Sequence, residues 1–139
     1  MKIAIRYYSK TGNTQKLAQK ISTLTQTPAL DITYQLTEDI DLLFFGSGVY
    51  GNALDPKVIN YLSNITVNIK EIINFSTSGI MQSNYTLIRD ALETTPHKLS
   101  KDEFHCPGTF VDFNKDRPNE EDMNNLEEFT RKILTSKKF

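Results

Sequence analysis

The run Asp41-Leu42-Leu43-Phe44-Phe45-Gly46 is apolar without alternation, and it constrains the fold more than any other stretch of the chain. A strand with one wet face alternates apolar and polar side chains, whereas a strand buried on both faces does not. The run therefore predicts a central strand of a parallel sheet covered by helices on both sides. Parallel neighbours need long crossovers, so the chain should cycle through strand, loop and helix. Lys2 to Tyr8 is rich in β-branched and aromatic residues, Ser9 to Thr14 breaks it, and Leu17, Ala18, Ile21 and Leu24 follow at helical spacing. The cycle repeats after the central strand. A polar loop from Ser47 to Leu54 leads to Asp55 as N-cap, Pro56 in the first turn, and Val58, Ile59 and Leu62 on one face. It repeats again from the strand Glu71 to Phe75, through Ser76-Thr77-Ser78-Gly79, to a helix carrying Leu87, Ile88, Ala91 and Leu92.

Two further segments read as strands at the margins. Leu30 to Leu36 is a weak one, with too few residues before Asp41 for a crossover helix. Glu103 to Phe113 contains Pro107 and Gly108, which belong at an edge or a bulge. A closing helix is marked by Asn119 as N-cap, by Glu120, Glu121 and Asp122 in its first turn, by Met123, Leu126, Phe129 and Ile133 inside, and by Lys137 and Lys138 at its end. Right-handed crossovers then leave a five-stranded α/β sheet of order 2-1-3-4-5, a three-layer sandwich formed by one domain over residues 1–139.

Composition narrows the function classes. Sixteen Lys and Arg against seventeen Asp and Glu leave a formal charge of −1, so there is no cationic excess for nucleic acid. The single cysteine, Cys106, forms neither an internal disulfide nor a multi-cysteine metal site, and reads as a small buried hydrophobe in a reducing cytoplasm. The apolar run Ile3-Ala4-Ile5 is broken by Arg6, too short for a signal peptide or a membrane span. His97 and His105 lack nearby paired ligands in sequence and receive no role, and no metal site is expected.

In open α/β sheets the ligand site lies beyond the carboxyl ends of the strands, where the winding reverses. The loops after the first, third and fourth strands should therefore converge. Ser9, Lys10, Thr11, Gly12, Asn13 and Thr14 offer hydroxyls, an amide, a lysine and backbone N–H groups at a helix start, which suits a terminal phosphate. The loop lacks both the G-x-x-x-x-G-K-[ST] and the G-x-G-x-x-G patterns. A monophosphate fits it better than a triphosphate or a dinucleotide.

Ser9-x-Thr11-Gly12-Asn13-Thr14 after an N-terminal strand resembles the phosphate loop of the flavodoxins. Phe45-Gly46-Ser47-Gly48-Val49-Tyr50, Leu54-Asp55-Pro56 and Phe75-Ser76-Thr77-Ser78-Gly79 resemble the flavin-ring loops of short bacterial members of that family. Phe104-x-Cys106-x-Gly108-x-Phe110 and Arg117-Pro118-Asn119-Glu120-Glu121-Asp122 are similar to the C-terminal part of the same group, so the likeness covers nearly the whole length. It implies non-covalent FMN, electron transfer, and no catalytic side chain. It further implies that Ser9 to Thr14 hold the phosphate. Ser47, Gly48, Val49, Tyr50, Gly51 and Asn52, with Ser76, Thr77, Ser78 and Gly79, would wrap the isoalloxazine ring, Tyr50 stacking on it. A phenol against the ring and limited solvation both disfavour an anionic reduced flavin, which tunes potential without an acid–base residue.

Ile80-Met81-Gln82 departs from better-known flavodoxins, which often place an acidic residue and a second stacking tyrosine there. Either Met81 covers that ring face or the face is open to hydride or quinone. The sequence thus keeps a carrier serving redox partner proteins or a small-molecule acceptor beside an FMN-dependent NAD(P)H:quinone-type reductase and a flavin-free interaction module. Oligomeric state is left open. A phosphorylated receiver domain is disfavoured, because Tyr8-Ser9 and Ser47 stand where its acidic residues belong.

Overall fold

The computed structural model describes residues 1–49, 52–79, 82–109 and 116–139. The elements are β1 (Ile3–Tyr7), α1 (Asn13–Thr25), β2 (Ala29–Asp31), β3 (Ile40–Gly48), α2 (Pro56–Ser63), β4 (Ile69–Ser78), α3 (Tyr85–Leu92), β5 (Leu99–Pro107) and α4 (Glu120–Ser136). The strands form one five-stranded sheet of order β2-β1-β3-β4-β5 with every neighbouring pair parallel, as expected.

The pleat divides the core into two layers. Ile5, Tyr7, Leu42, Phe44, Ile73, Phe75, Phe104 and Cys106 pack under α1 and α4, through Leu17, Ala18, Ile21, Leu126 and Ile133. Ala4, Leu43, Phe45 and Ile72 pack under α2 and α3, through Val58, Leu62, Ile88 and Leu92. The unalternating run is thus buried on both faces, Leu42 to Phe45 being wholly excluded from solvent. Cys106 is a buried member of this core, and burial pushes its thiol up to about 12, as an unreactive thiol requires.

The weak second strand is shorter than its sequence suggests. It ends at Asp31 rather than Leu36, because the Asp31 carboxylate accepts the Thr33 N–H at 2.8 Å and the Thr33 hydroxyl, turning the chain. Among the described residues no helix forms between β2 and β3. Instead the buried Arg6 guanidinium donates to the carbonyls of Tyr34 at 2.8 Å, Gln35 at 3.3 Å and Ile5 at 3.0 Å, pinning the connection to β3. The edge strand is likewise displaced from the expected Glu103–Phe113. It begins at Leu99, four residues earlier, and closes at Pro107, whose missing N–H is tolerated because the next bond to β4 is made by the Gly108 N–H to the Ser78 carbonyl at 3.0 Å.

At the amino end of the sheet Glu71 is 4% exposed. Its carboxylate meets Lys137 Nζ at 3.1 Å and Lys98 Nζ at 3.5 Å. Lys137, expected to complement the α4 dipole, instead follows the helix as its C-cap and ties it to β4. Removing the ammonium while keeping the stem in Lys137→Met leaves Glu71 with only the more exposed Lys98. We expect a loss of about 2 kcal/mol in urea denaturation, within the range for charged hydrogen bonds. Unchanged stability would show that Lys98 alone satisfies Glu71.

Candidate functional site

At the carboxyl ends of the strands the chain is cross-tied by polar side chains. Gly12 is the N-cap of α1 in the left-handed region, φ 89°, and a Cβ built there meets nothing within 4 Å among the described residues. Its role is conformational: the turn from β1 into α1 needs a residue at ease with positive φ, and the space above it is open. The turn is closed by the Gly12 N–H donating to Ser9 Oγ at 3.0 Å. The first intrahelical bond is Lys16 N–H to Gly12 C=O, so the N–H groups of Asn13, Thr14 and Gln15 have no acceptor within the helix. No acidic residue occupies that first turn, in contrast to α4. The positive end of the α1 dipole is therefore not neutralised by its own helix.

The side chains of this loop work differently from one another. Asn13 Nδ2 donates to the Thr109 carbonyl at 3.0 Å, and the Thr14 and Thr77 hydroxyls are 2.9 Å apart, both buried. These two residues bind the loop to the ends of β5 and β4, leaving their backbone N–H groups for a ligand. Thr11 is exposed and Ser9 half-buried. Lys10 Nζ lies 3.3 Å from Asp55, which also accepts the Lys57 N–H at 2.9 Å and the Tyr8 hydroxyl at 3.1 Å. The Lys57 N–H, then Lys10 and Tyr8, hold the Asp55 carboxyl below the usual carboxylate range. Gly108 is a close approach: a Cβ there would stand 2.7 Å from Asn13 Nδ2.

Ser47 and Gly48 lie in β3, and Ser76, Thr77 and Ser78 lie in β4 rather than in the loop the sequence suggests. The two strands run in register there, Ser47 beside Ser76 and Gly48 beside Thr77. The Val49 N–H continues the ladder to the Thr77 carbonyl at 3.3 Å. Gly79 follows β4 directly and Asn52 is exposed at φ 64°. Tyr50, Gly51 and Met81, expected at the ring, lie outside the described residues, as does Phe110.

Beneath these ends runs a polar layer that sequence reasoning missed. Asn84 Nδ2 donates to Ser47 Oγ at 2.8 Å, while its Oδ1 accepts from Asn74 Nδ2 at 2.9 Å. Asn74 Oδ1, fully buried, has no hydrogen-bond partner among the described residues. His105 on β5 sits between two serines of β4, with Nδ1 2.9 Å from Ser76 Oγ and Nε2 3.3 Å from Ser78 Oγ. Only the register between neighbouring strands, whose residues lie far apart in sequence, brings these groups together. The alternation of Ser76, Ser78 and His105 along their strands is the one trace of it in sequence. A separate groove of about 370 Å³ lies between α2 and residues 32–36, lined by Ile32, Leu36, Tyr61 and Ile65. It borders the connection from β2 to β3 and lies apart from the convergent ends.

No family model matches the chain. The uncharacterized protein MJ0298 of Methanocaldococcus jannaschii is 30% identical over 149 aligned positions, covering 96% of this chain and 99% of that protein. This chain and MJ0298 belong to one family. Among solved structures, a flavodoxin from the domain Archaea superposes with a TM-score of 0.77 over 97% of both chains at 13% identity. Flavodoxin 1 of Bacillus cereus superposes with a TM-score of 0.73 over 99% of this chain and 100% of that one at 15% identity. This chain thus has a flavodoxin-like fold, in agreement with the resemblance carried by the loops. No helix among the described residues is long and apolar enough to cross a membrane.

Proposed function

We propose that this protein binds one FMN without a covalent bond and serves as an electron carrier, exchanging electrons with redox partner proteins or a small acceptor in the cytoplasm. One observation carries the reading: the ends of β1, β3, β4 and β5 meet around an α1 N-terminus whose first-turn N–H groups have no intrahelical acceptor and whose side chains are already engaged elsewhere. The residues fit the group. Open space above Gly12 admits a phosphate, the helix start supplies donors and positive potential, and Lys10 stands beside it. Bound FMN supplies the one- and two-electron chemistry.

The chain's own contributions are binding, orientation and exclusion of water. The Thr14–Thr77 and Asn13–Thr109 bonds hold the phosphate loop at a fixed distance from the ring-side strand ends. Ser47 to Asn52 and Ser76 to Gly79 would present backbone groups to the ring, with Tyr50 against one face. Beneath the strand ends the buried polar layer of Ser47, Asn74, Ser76 and Asn84 lies over the two apolar layers of the core, so a ring edge laid against it would be kept from bulk solvent.

The test is titration with FMN followed by fluorescence quenching, with riboflavin as the phosphate-free control. Thr11→Glu places a carboxylate beside the α1 N-terminus at an exposed position. It should weaken FMN by about 10- to 100-fold, one to two steps of 1.4 kcal/mol, and leave riboflavin unchanged. Equal loss for both ligands, or none for FMN, would remove the phosphate from this loop. Reduction of the bound flavin by NADH or NADPH alone would replace the carrier by the reductase reading.

A further inference from the structure

His105 has no part in the phosphate loop, yet it is hydrogen-bonded through both ring nitrogens to the strand end that leads into the third loop. We infer that His105 positions this ring-side strand end, and that the neutral imidazole bridging Ser76 and Ser78 is the form that admits a flavin ring. The inference rests on the FMN reading and adds to it a residue and a dependence on pH.

A neutral imidazole has one N–H and one lone pair. In either tautomer it donates to one serine and accepts from the other, so each hydroxyl has a fixed direction. An imidazolium donates at both nitrogens, which turns both hydroxyls outward as donors and places a cation at the strand end. A hydrogen bond with the Ser76 backbone favours the charged ring, but burial outweighs it. On β4 the neighbours on the same face are Asn74, Ser76 and Ser78, all uncharged. On β5 Glu103 lies two residues away, and its carboxylate is engaged by the Ser83 hydroxyl at 2.5 Å. From α3 and its approach come Asn84, joined to Asn74 and Ser47, and Tyr85, whose hydroxyl donates to the Ser100 carbonyl at 2.8 Å. The charged pair of that helix, Arg89 and Asp90, is exposed. Burial already lowers the His105 titration point from its ordinary value.

A flat aromatic ring laid over the loop removes more water and disfavours the imidazolium further. By linkage, protonating His105 must then weaken ring binding by the same factor that ring binding lowers its titration point. The sign follows: affinity for the ring is highest when His105 is neutral and falls as pH drops through its titration range.

The experiment measures riboflavin affinity of the whole chain by fluorescence from about pH 8 to about pH 5, the span in which histidine changes charge. It is run on the natural protein and on His105→Gln, whose amide keeps a donor and an acceptor but does not titrate. Riboflavin has no phosphate, so the phosphate loop is out of the readout. The natural protein should lose affinity progressively as pH falls through the His105 range, approaching about tenfold for a shift of one unit once the pH lies below the bound titration point, and His105→Gln should stay level. In parallel, the imidazole C–H resonances of His105, assigned by their absence in the variant, should titrate at lower pH with riboflavin bound. A level profile in the natural protein, equal slopes in the two proteins, or a His105 titration unmoved by riboflavin would each overturn the inference while leaving FMN binding standing. Absence of both riboflavin and FMN binding at every pH would overturn the FMN reading and this inference together.

Discussion

Gly46→Ala is expected to lose about 3 kcal/mol of stability, the upper part of the usual range for overpacking a filled core. Gly46 pairs with Phe75 across β3 and β4, and a Cβ on Gly46 would stand 2.0 Å, 2.3 Å and 2.6 Å from the Cε2, Cζ and Cδ2 atoms of that ring. Phe75 is wholly buried in the layer beneath α1 and α4. The ring has no free volume to enter, so either β3 and β4 separate or Phe75 leaves its rotamer. The measurement is urea unfolding of the single variants Gly46→Ala and Phe75→Leu and of the pair. Leucine removes the far edge of the ring, so the double variant should be more stable than the sum of the single losses requires, a coupling expected of touching residues. Strict additivity, or a Gly46→Ala protein as stable as the natural one, would show that the ring moves aside at little cost.

That glycine also illustrates what a sequence can convey. Phe45-Gly46-Ser47 reads as the end of a buried strand because hydrophobic periodicity is a local property. The central strand, α1, the Asp55 and Asn119 caps and the order of the sheet were all legible for the same reason: each depends on residues within a few positions of one another, plus the handedness of crossovers. What Gly46 must avoid depends on Phe75, 29 residues away in the sequence, and nothing local records it. The same holds for the site. Asn13 and Thr14 read as ligand-facing polar residues, yet their side chains reach Thr109 and Thr77. Ser76 to Ser78 read as a loop because Ser and Thr favour turns, but pairing to β3 and β5 overrides that preference and extends β4 to Ser78. His105 carried no local signal, since its partners belong to the adjacent strand. Arg6, which merely broke an apolar run in the sequence, proves to hold the connection between β2 and β3 through the carbonyls of Tyr34 and Gln35.

Asp122→Asn is expected to cost about 2 kcal/mol, the scale for hydrogen bonds to a charged group, because Asp122 is buried while a third of the Arg117 side chain is exposed. The Asp122 carboxylate is buried, accepting from Arg117 Nε at 2.6 Å, from the other arm of the guanidinium at 2.7 Å, and from the Asn119 N–H at 2.8 Å. Asn119 Oδ1 returns a bond from the Asp122 N–H at 3.0 Å, completing a capping box at the start of α4. An amide in place of the carboxylate turns one acceptor into a donor facing Arg117. The effect should reach the proposed site, because the Arg117 carbonyl accepts from both the Thr109 N–H and the Thr109 hydroxyl, each at 2.8 Å, and the Thr109 carbonyl holds Asn13 at the head of α1. The Arg117 hydrogen bonds above all keep the Asp122 carboxyl below the usual carboxylate range. A carboxyl lowered by folding contributes stability that is complete above its unfolded value of about 3.9 and fades as pH falls through the folded value. Stability of the natural protein measured by denaturant should therefore decline below about pH 4 more steeply than that of Asp122→Asn, and the gap between the two should narrow there. A constant gap across that range would mean that Asp122 acts through its shape alone. A variant with weakened stability but unaltered FMN affinity would mean that the α4 cap and the phosphate loop are not coupled through Thr109.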